Sequence, residues 1–302
     1  MVRSYKAVIY HLYMFGAQSE YLPLRKVIMH RPSDEVEQIT ESNKREFLFR
    51  DAVSMEKMQK EHDSYTQFLK DAGVEVIFTQ NTVCPNLLFT RDTASVTKKG
   101  ALLMRPKFVT RFFEPFYLQK TFESLNIPTL EITRGFCEGG DLVYLDEDTL
   151  MIGFGPRTDY DGVLHVKELI GEAVKEIIAV PLPSFRVHLD GTLMILSHDV
   201  AILHPGSLIF PAKFLKENNI VLIPEFLKDS GFEIIEVADE EAKNFGPNVF
   251  VVKPHLVVSY SWNTRIITEL EERSFEVFRL EGYELVKAAG GPHCMTCPVL
   301  RR

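Results

Sequence analysis

The sequence has too few cysteines for a disulfide framework, and it lacks the long apolar run of a membrane protein. Four cysteines in 302 residues indicate a reducing compartment, the cytoplasm. No segment approaches the roughly 18 uninterrupted apolar residues of a membrane span. Lys6 and His11 interrupt the moderately apolar start of the chain, up to Ala17, which disfavours a signal peptide.

The sequence also lacks an excess of positive charge. Its 34 Lys and Arg residues against 42 Asp and Glu residues give a formal net charge of −8, with both signs mixed along the chain. A nucleic-acid-binding protein would show a basic stripe, so we expect neither nucleic acid nor a membrane as a partner. The composition, 45% hydrophobic and 25% charged, is that of an ordinary soluble enzyme.

What the chain has instead is a series of short runs with the composition of β-strands. Val, Ile and Phe dominate these runs, and Gly, Pro, Asp or Asn separate them, as strands require. We predict strands at Lys26–Met29, Val74–Phe78, Ala101–Met104, Thr129–Thr133, Asp141–Leu145, Thr149–Gly153, Glu176–Val180, Thr192–Leu196, Ala201–Leu203, Phe232–Ile235, Asn248–Val252, His255–Ser259 and Ser274–Val277.

Helical patterns lie between these runs. The stretch from about Ser54 to Ala72 is typical of a helix that ends at Gly73. A second predicted helix has lysine and glutamate on its solvent side and apolar residues at helical spacing, at Val166, Leu169, Ile170, Ala173, Val174 and Ile177.

The order strand, strand, helix, strand returns roughly every fifty residues, about five times. The first two strands of a unit often form a tight hairpin, as around Leu145–Asp148. We therefore predict one α/β domain over residues 1–302, made of about five quasi-equivalent ββαβ units around an axis. A doubly wound sheet is the alternative, but no Gly-x-Gly-x-x-Gly sequence opens any helix.

Polar residues concentrate in four short segments at the edges of these units. The segments are Asn86–Asp92, Glu138–Asp141, His188–Asp190 and Gly290–Pro298. Apolar runs bracket each of them, so we expect their polar groups to converge on one end of the core. Loop positions held by a rigid scaffold are where function concentrates.

Each of these residues, taken alone, has an ordinary structural explanation. Asp92 suits a surface ion pair or a helix cap. Glu138 and Asp141 suit a capped turn around their glycine pair. His188 suits a structural histidine, and Cys294 suits a buried, inert thiol. Only their combination favours a site.

That combination is the inventory of nucleophilic cysteine catalysis. Cys294 is accompanied by a distant His188 and by several carboxylates. The glycines Gly290–Gly291 let the backbone approach a ligand and free N–H groups that stabilise a thiolate. A guanidinium is planar and cationic with five donors, so bidentate carboxylates are its natural receptor, and Asp92 and Asp190 are the candidates.

A zinc site and a redox motif are the alternative uses of the same atoms. Cys294 and Cys297 form a Cys-x-x-Cys motif with His293 adjacent, but a structural zinc site needs further ligands. Cys84 and Cys137 are far apart in sequence and do not supply a second pair. A redox motif would need a following helix, for which too few residues remain. We therefore predict that the protein uses neither a metal nor another cofactor.

The same motifs resemble those of the guanidine-modifying superfamily, and within it the arginine deiminases, over nearly the whole chain. Ser19–Pro32 is similar to that family's opening strand, and Asn86–Asp92 carries its Asn-x-x-Phe-Thr-Arg-Asp motif. Its next two motifs are matched by Glu138–Asp141 and His188–Asp190, and its nucleophile segment by Cys294–Pro298. Four motifs in the family's order make the resemblance specific.

The resemblance implies the pentein fold, a five-bladed pseudo-symmetric α/β propeller, and hydrolysis without a metal. The thiolate of Cys294 would attack the guanidinium carbon while Asp92 and Asp190 hold its nitrogens. His188, oriented by Glu138, would protonate the departing ammonia and then activate water against the thiouronium intermediate. L-arginine would yield L-citrulline and ammonia.

The resemblance also implies which residues bind substrate, and it shows two departures from the family. The implied residues are Asn86, Phe89, Arg111, Asp141 and Arg157. The deiminases are longer, with a helical insertion for which this chain has no room. They also carry an arginine on the carboxylate side of the substrate where this chain has Ala289, with Lys287 nearby. Methylated arginine, agmatine or another small guanidino compound therefore stays open as the substrate.

Two further functions remain alternatives. In an amidinotransferase, an acceptor amine instead of water would resolve the same intermediate, and the sequence does not separate the two reactions. A binding protein without activity, like the ribosome anti-association factors of this architecture, would have no reason to keep the full set of polar residues. A homo-oligomer also stays open.

Overall fold

The computed structural model describes residues 15–302. Residues 1–14, which include Lys6 and His11, lie outside the described part, and so does most of the segment considered as a signal peptide. The helices within the described range are α1 (Met55–Asp71), α2 (Glu114–Ser124), α3 (Tyr160–Ile170), α4 (Ile223–Asp229), α5 (Asp239–Lys243) and α6 (Thr264–Glu272).

The strands are mostly short, three to six residues long. They are β1 (Leu24–Met29), β2 (Glu75–Phe78), β3 (Ala94–Thr97), β4 (Gly100–Leu103), β5 (Thr129–Glu131), β6 (Leu142–Asp146), β7 (Thr149–Phe154), β8 (Glu176–Pro181), β9 (Leu193–Ile195), β10 (Val200–Leu203), β11 (Ala212–Phe214), β12 (Ile220–Val221), β13 (Glu233–Glu236), β14 (Phe250–Lys253), β15 (Leu256–Tyr260), β16 (Glu276–Leu280) and β17 (Cys297–Arg301).

These strands form five small sheets with one repeated plan. In each, a central strand pairs antiparallel with one neighbour and parallel with another, as β4 does with β3 and β5. A helix crosses between the parallel pair, as α2 does between β4 and β5. The predicted five ββαβ units and the pentein propeller are confirmed.

The sheets depart from strict repetition at two places. In the first sheet, β17 from the end of the chain pairs with β1 from its start, so both ends of the described chain belong to one unit. The hairpin β11–β12 is inserted into the fourth unit and adds to the edge of the third sheet through β8. The first feature closes the ring of units.

The predicted helix from Ser54 forms as α1. The side chain of Ser54 accepts a hydrogen bond from the backbone N–H of Lys57, which satisfies one of the free donors at the helix start. Gly73 follows the helix with φ +85°, a conformation that favours glycine. Met58 and Leu69 on its inner face are fully buried.

The second predicted helix is shorter than its apolar pattern. α3 ends at Ile170, Ala173 and Val174 lie beyond it, and Ile177 lies in β8 opposite Leu150. The expectation that one helix reaches Ile177 is wrong. The pattern continues because the segment after the helix buries apolar side chains against the same core, although its backbone has changed.

Four strands were not predicted, namely β3, β11, β12 and β17. β3 and β17 contain Ser, Thr, Cys, Pro or Arg where the predicted runs have Val and Ile. Every residue of these two strands is nevertheless buried, because neighbouring units pack against them. β11 and β12 have three and two residues, too few for an alternating pattern.

Short 3-10 helices bring the starts of the units together. Thr90–Thr93, Gly139–Asp141 and Leu189–Gly191 precede β3, β6 and β9, and each contacts the next. The polar segments of the sequence therefore meet at one end of the ring, as predicted. Among residues 15–302, no helix has both the length and the apolar character needed to cross a membrane.

Candidate active site

Each unit contributes one polar residue just ahead of its first strand. Asp92, Asp141 and Asp190 stand before β3, β6 and β9, and Asn248 and Cys294 stand before β14 and β17. Asn248 was missed because it is the first residue of the predicted strand Asn248–Val252, where it has no functional signal of its own. Its place in the repeat, ahead of the first strand of the fifth unit, was the signal that could have identified it.

His188 is held between two carboxylates. Its Nε2 lies 2.8 Å from Oε2 of Glu138, and its Nδ1 lies 3.5 Å from Oδ1 of Asp92. Burial by itself lowers the pKa of His188, but the charge of Asp92 and the hydrogen bond to Glu138 outweigh it and raise that pKa to about 9. The histidine is therefore a protonated acid near neutral pH.

Arg111 and Arg157 brace these carboxylates. Nη1 of Arg157 donates to Oε2 of Glu138 at 2.7 Å, and Nη1 of Arg111 donates to Oδ2 of Asp92 at 2.7 Å. Arg111 also donates from Nε and Nη2 to the buried carboxylate of Glu114. Arg111 and Arg157, which were predicted to bind substrate, thus donate hydrogen bonds to carboxylates of the protein itself. A direct contact of either with substrate stays a prediction.

The charge of Glu138 follows from the same contacts. Burial raises its pKa, but the hydrogen bond and charge of His188, together with Arg157 and Arg111, hold that pKa below its usual range. Glu138 is therefore an ionised carboxylate with no exposed surface. It can fix the orientation and charge of His188.

Cys294 lies opposite His188 with a largely buried side chain. Its Sγ is 3.5 Å from Oδ2 of Asp190 and 3.4 Å from Oδ1 of Asn248. Burial, followed by the charges of Asp190 and Asp92, raises the pKa of the Cys294 thiol well above its usual range. In the unliganded protein Cys294 is therefore a thiol.

Cys297, the other cysteine of the motif, is directed elsewhere. Its Sγ lies 3.5 Å from the carbonyl oxygen of Ala94, and burial raises its pKa to about 12. Cys84, Cys137, Cys294 and Cys297 are all free. The environment of Cys297 is that of an inert core thiol.

Asp190 belongs to a buried hydrogen-bonded chain that runs through His293 to Glu20. Nδ1 of His293 lies 2.8 Å from Oδ2 of Asp190, and Nε2 lies 3.1 Å from Oε2 of Glu20. Oε1 of Glu20 accepts the backbone N–H of Tyr144 at 3.1 Å. Burial opposes ionisation of Glu20, but His293 brings its pKa down to about 2. Glu20 was missed because one acid in the opening segment has no distinguishing spacing.

Asp141 is placed behind His188. Oδ2 of Asp141 accepts from Oγ1 of Thr158 at 2.6 Å, and its Oδ1 accepts the backbone N–H of Leu189 at 2.9 Å. Burial raises its pKa to about 7. The side chain holds the backbone that follows His188, and its predicted contact with substrate stays a prediction.

Two glycines allow the close packing of the site. A Cβ on Gly140 would stand 2.7 Å from Nδ1 of His188 and 2.8 Å from Oδ1 of Asp92. A Cβ on Gly290 would clash with the ring of Phe89. Larger residues at these positions would displace the groups that face Cys294.

The groups surround a cleft with two arms, each with a volume of about 290 Å³. The arms meet at Val187, His188, Ala289 and Cys294, which line both. We call the arm that contains Asp92 the first arm; it is also lined by Asn86, Phe89, Arg111, Arg157 and Arg45. We call the arm that contains Asp190 the second arm; it is also lined by Asn248, Arg50, Arg186, Lys243 and Phe245.

Two buried acceptors in the first arm have no hydrogen-bond partner among residues 15–302. They are Oδ1 of Asn86 and Oδ1 of Asp92. The amide nitrogen of Asn86 is occupied, because it donates to the carbonyl oxygen of Phe47 at 2.9 Å. Buried acceptors without partners are costly, so a ligand that brings several N–H donors would satisfy both.

Lys287 does not replace the arginine that the family carries at the position of Ala289. Nζ of Lys287 lies 3.1 Å from both carboxylate oxygens of Glu284, and the residue lines neither arm. Ala289 itself lies at the junction of the arms with φ +69°. The site thus has no lysine in the missing arginine's place.

Three residues of the site resemble a metal-ligand set by distance alone. Ligand atoms of Asp92, Glu138 and His188 lie within 4.8 Å of one another. Arg111 and Arg157 already donate to these two carboxylates at 2.7 Å. A divalent cation there would meet two guanidinium groups, so the charges fit a proton carrier better than a metal site.

The fold is that of solved guanidine-modifying enzymes. The dimethylarginine dimethylaminohydrolase of Pseudomonas aeruginosa, solved with citrulline, superposes with a TM-score of 0.74 at 20% identity, over 92% of this chain and 100% of that chain. SxtG, an amidinotransferase of Microseira wollei, superposes with a TM-score of 0.76 at 15% identity, over 96% and 98%. The chain therefore has the pentein fold.

The family model of arginine deiminase matches residues 82–301, and the chain belongs to the arginine deiminase family. The arginine deiminase of Mycoplasma capricolum is 25% identical in an alignment 390 residues long, which covers 94% of this chain and 96% of that protein. The arginine deiminase of Streptococcus agalactiae is 25% identical in an alignment 403 residues long, which covers 94% of this chain and 97% of that protein. These relationships support a guanidino-group hydrolase.

Proposed function

We propose that the protein hydrolyses a guanidino group through a covalent bond to Cys294, with L-arginine as substrate and L-citrulline and ammonia as products. One observation carries the proposal. Cys294 and the protonated His188 meet at the junction of two arms, each of which contributes one carboxylate, Asp92 or Asp190. Membership of the arginine deiminase family supports the same reaction.

Binding comes first, and it changes the charge around the nucleophile. A guanidinium between Asp92 and Asp190 donates to both carboxylates, including the unpartnered Oδ1 of Asp92. These two negative charges help to keep Cys294 a thiol in the free protein. The bound cation offsets them, so the pKa of Cys294 falls and its proton is released. Substrate binding thus prepares the nucleophile.

The thiolate then adds to the guanidinium carbon and forms a C–S bond. His188 gives its proton to the departing nitrogen, and the C–N bond breaks. Ammonia departs, and the substrate carbon stays bound to Cys294 as a thiouronium. Because the pKa of His188 is about 9, its ring is protonated at neutral pH and can donate this proton. Glu138 keeps the ring oriented through the 2.8 Å hydrogen bond.

Water completes the cycle. The neutral His188 removes a proton from a water molecule that attacks the thiouronium carbon, and a C–O bond forms. The C–S bond breaks, Cys294 leaves as the thiolate, and the remaining hydroxyl proton is lost to give the ureido product. The same histidine is acid in the first half and base in the second.

The direct test is incubation with L-arginine, methylated arginines, agmatine and guanidinoacetate, with measurement of ureido product and ammonia. We expect L-arginine to be converted with the two products in equal amounts. An amidino transfer would instead need an added amine and would release no ammonia. Turnover of agmatine as fast as of arginine would retain a guanidino hydrolase but reject arginine deiminase. No turnover of any of these compounds would reject the proposed reaction.

We also propose that the enzyme works in the cytoplasm on a small, freely diffusing guanidino compound, and that it needs no metal or other cofactor. The four free cysteines support a reducing compartment. The size of the arms, about 290 Å³ each, supports a ligand of amino-acid size.

A further inference from the structure

The second arm contains a fixed arginine with no acidic partner. Arg186 donates from Nη1 to the carbonyl oxygen of Ala242 at 3.4 Å, and its Nη2 lies 3.0 Å from Nδ1 of His204. Its Nε donates to Oγ of Ser207. Within residues 15–302 it forms no ion pair with a carboxylate. The guanidinium of Arg186 is therefore held in place by hydrogen bonds, with no carboxylate in direct contact.

The groups that hold Arg186 are themselves fixed. Nδ1 of His204 lies 2.7 Å from Oγ of Ser207, and Nε2 of His204 lies 2.7 Å from Oδ1 of Asp239. His204 and Ser207 are buried. A guanidinium that is already ordered loses little conformational freedom when it binds a ligand, so it makes a good anchor.

Arg50 provides a second cation of the same kind. Its guanidinium stacks 4.5 Å from the centre of the Phe245 ring, and Nη2 donates to the carbonyl oxygen of Lys243 at 2.8 Å. It too forms no ion pair within the described residues. Burial lowers the pKa of Arg186, and the charge of Asp239, which reaches it through His204, offsets that only in part.

The first arm differs in its charge balance. Its buried arginines, Arg111 and Arg157, are paired with Glu114, Asp92 and Glu138. The exposed Arg45, which also lines this arm, forms no ion pair within the described chain. Unpaired positive charge is thus greater in the second arm, which carries two such arginines.

We propose that the second arm binds a carboxylate, held by Arg186 and Arg50, beside the reacting guanidino carbon. This inference rests on the proposed function, because both arms open on Cys294. Because Asp92 and Asp190 lie in different arms, the guanidino nitrogen bound to Asp92 points into the first arm and the nitrogen bound to Asp190 points into the second. A substituent on the second nitrogen enters the second arm past Val187, which lines both arms, and its methylene groups lie against Phe185, which lines the second arm alone and is 64% exposed.

The carboxylate has two chemical sources. It can belong to a carboxyalkyl substituent on the far nitrogen of the guanidino substrate. It can also belong to a separate amino acid whose amine attacks the thiouronium carbon, forming a C–N bond as the C–S bond breaks and giving its proton to His188. Both place the same anion against the same two arginines.

Two ligands of the same shape, one with a carboxylate and one neutral, test whether the second arm binds a carboxylate without the need for turnover. In the Cys294→Ser protein, we would measure by calorimetry the affinity of L-arginine that carries an Nω-carboxyethyl group and of its neutral Nω-carbamoylethyl isostere. Since a charge-assisted contact is worth about tenfold or more in binding, we expect the carboxylate to bind at least that much more tightly. Equal affinities for the two ligands would overturn the proposal.

Variants locate the effect. Arg50→Gln, at an exposed position, and Arg186→Gln should each reduce the preference for the carboxylate, with folding checked by thermal unfolding. Arg134→Gln, on a surface arginine paired with Glu168 outside both arms, should retain it. A preference that is lost in Arg45→Gln and kept in Arg50→Gln would place the carboxylate in the first arm and reject the inference.

Turnover by the native protein then separates the two sources. Faster hydrolysis of the carboxyethyl compound than of its carbamoyl isostere supports the substituent. Formation of Nω-carboxyethyl-L-arginine from L-arginine and added β-alanine, detected by mass spectrometry, supports the separate amino acid, because the thiouronium keeps the rest of the arginine after ammonia has left. If no guanidino compound is turned over, the proposed function fails, while the calorimetric comparison still decides whether the arm binds carboxylates.

Discussion

At the scale of single residues, the site consists of ionisable groups whose charges are set by their neighbours. Asp92 and Asp190 make Cys294 a thiol in the free protein, and Asp92 and Glu138 make His188 a cation. A cationic substrate offsets the charges of Asp92 and Asp190 and so favours the Cys294 thiolate, while the hydrogen bond to Glu138 continues to favour the protonated His188. We therefore expect the nucleophile to be activated by the ligand that it attacks.

The role of Glu138 predicts a change in the pH profile. Glu138→Gln removes a negative charge 2.8 Å from His188, so the pKa of His188 falls from about 9. The alkaline limb of kcat should move to lower pH, and kcat at neutral pH should fall about 10²-fold or more, the usual contribution of a positioned acid or base. A pH–rate series of both proteins measures this. An alkaline limb that does not move would contradict the assignment of His188 as the acid.

The same raised pKa contributes to folding. Because the pKa of His188 rises from its ordinary 6.5 to about 9 on folding, its contribution to stability is fully present below pH 6.5 and is lost as the pH rises through about 9. The alkaline loss of activity should therefore coincide with a decrease in the free energy of unfolding.

The charges at Asp92, Glu138 and His188 also predict independence from metal. Arg111 and Arg157 already form ion pairs with the two carboxylates, so exhaustive dialysis against a chelator should leave turnover within about twofold, a change under ~0.5 kcal/mol. The check is activity before and after dialysis, with zinc and magnesium added back. Loss of activity that zinc restores would overturn the proton-transfer account of these residues.

At the scale of the elements, the start of each unit's first strand determines which side chain faces the cleft. The sequence was sufficient for most strands, because apolar runs between turn residues mark them directly. It was insufficient for β3 and β17, whose burial depends on neighbouring units, and for the end of α3, where apolar periodicity continues past the helix. The motif residues could be found by resemblance and Asn248 by its place in the repeat, but Glu20 only by its contacts.

Asn248 gives a test at this scale. Its Oδ1 accepts the backbone N–H of His293 at 3.0 Å and lies 3.4 Å from Sγ of Cys294. Asn248→Ala should lower the free energy of unfolding by about 1–3 kcal/mol, because a buried donor loses its partner. Asn248→Asp should place a further negative charge near the thiol, raise the pKa of Cys294 and move the acid limb of turnover upward.

The measurements are chemical denaturation for the first variant and a pH–rate profile for the second. Ser54→Ala is a matched control, since it removes the N-cap of α1 at a cost of about 1 kcal/mol and lies outside both arms. Its turnover should equal that of the native protein. If Asn248→Asp shows an unchanged acid limb, Asn248 does not act on Cys294.

At the scale of the whole molecule, the ring of five units is closed by its ends. β17 pairs with β1, and the proposed nucleophile Cys294 stands just before β17, so both ends of the described chain are needed to build the site. The pentein plan could be inferred from the recurring order of strands and helices. The two-armed cleft could not, because its walls come from segments distant in sequence, such as Arg50 and Arg186.

Ring closure predicts cooperative unfolding. Because the first sheet uses both ends of the described chain, opening it removes support from the neighbouring units, and we expect residues 1–302 to behave as one domain. Scanning calorimetry should show one transition with equal calorimetric and van't Hoff enthalpies. Two resolved transitions would contradict the single-domain prediction.

The most direct measurement for the whole account is trapping of the covalent intermediate. The native protein is mixed with L-arginine, quenched with acid during turnover and digested, and its peptides are analysed by mass spectrometry. The account predicts that the peptide containing Cys294 gains the mass of arginine less ammonia, that Cys297→Ser gains it equally, and that Cys294→Ser does not. Citrulline formation with no adduct on Cys294, or with the adduct on Cys297, would contradict the central claim.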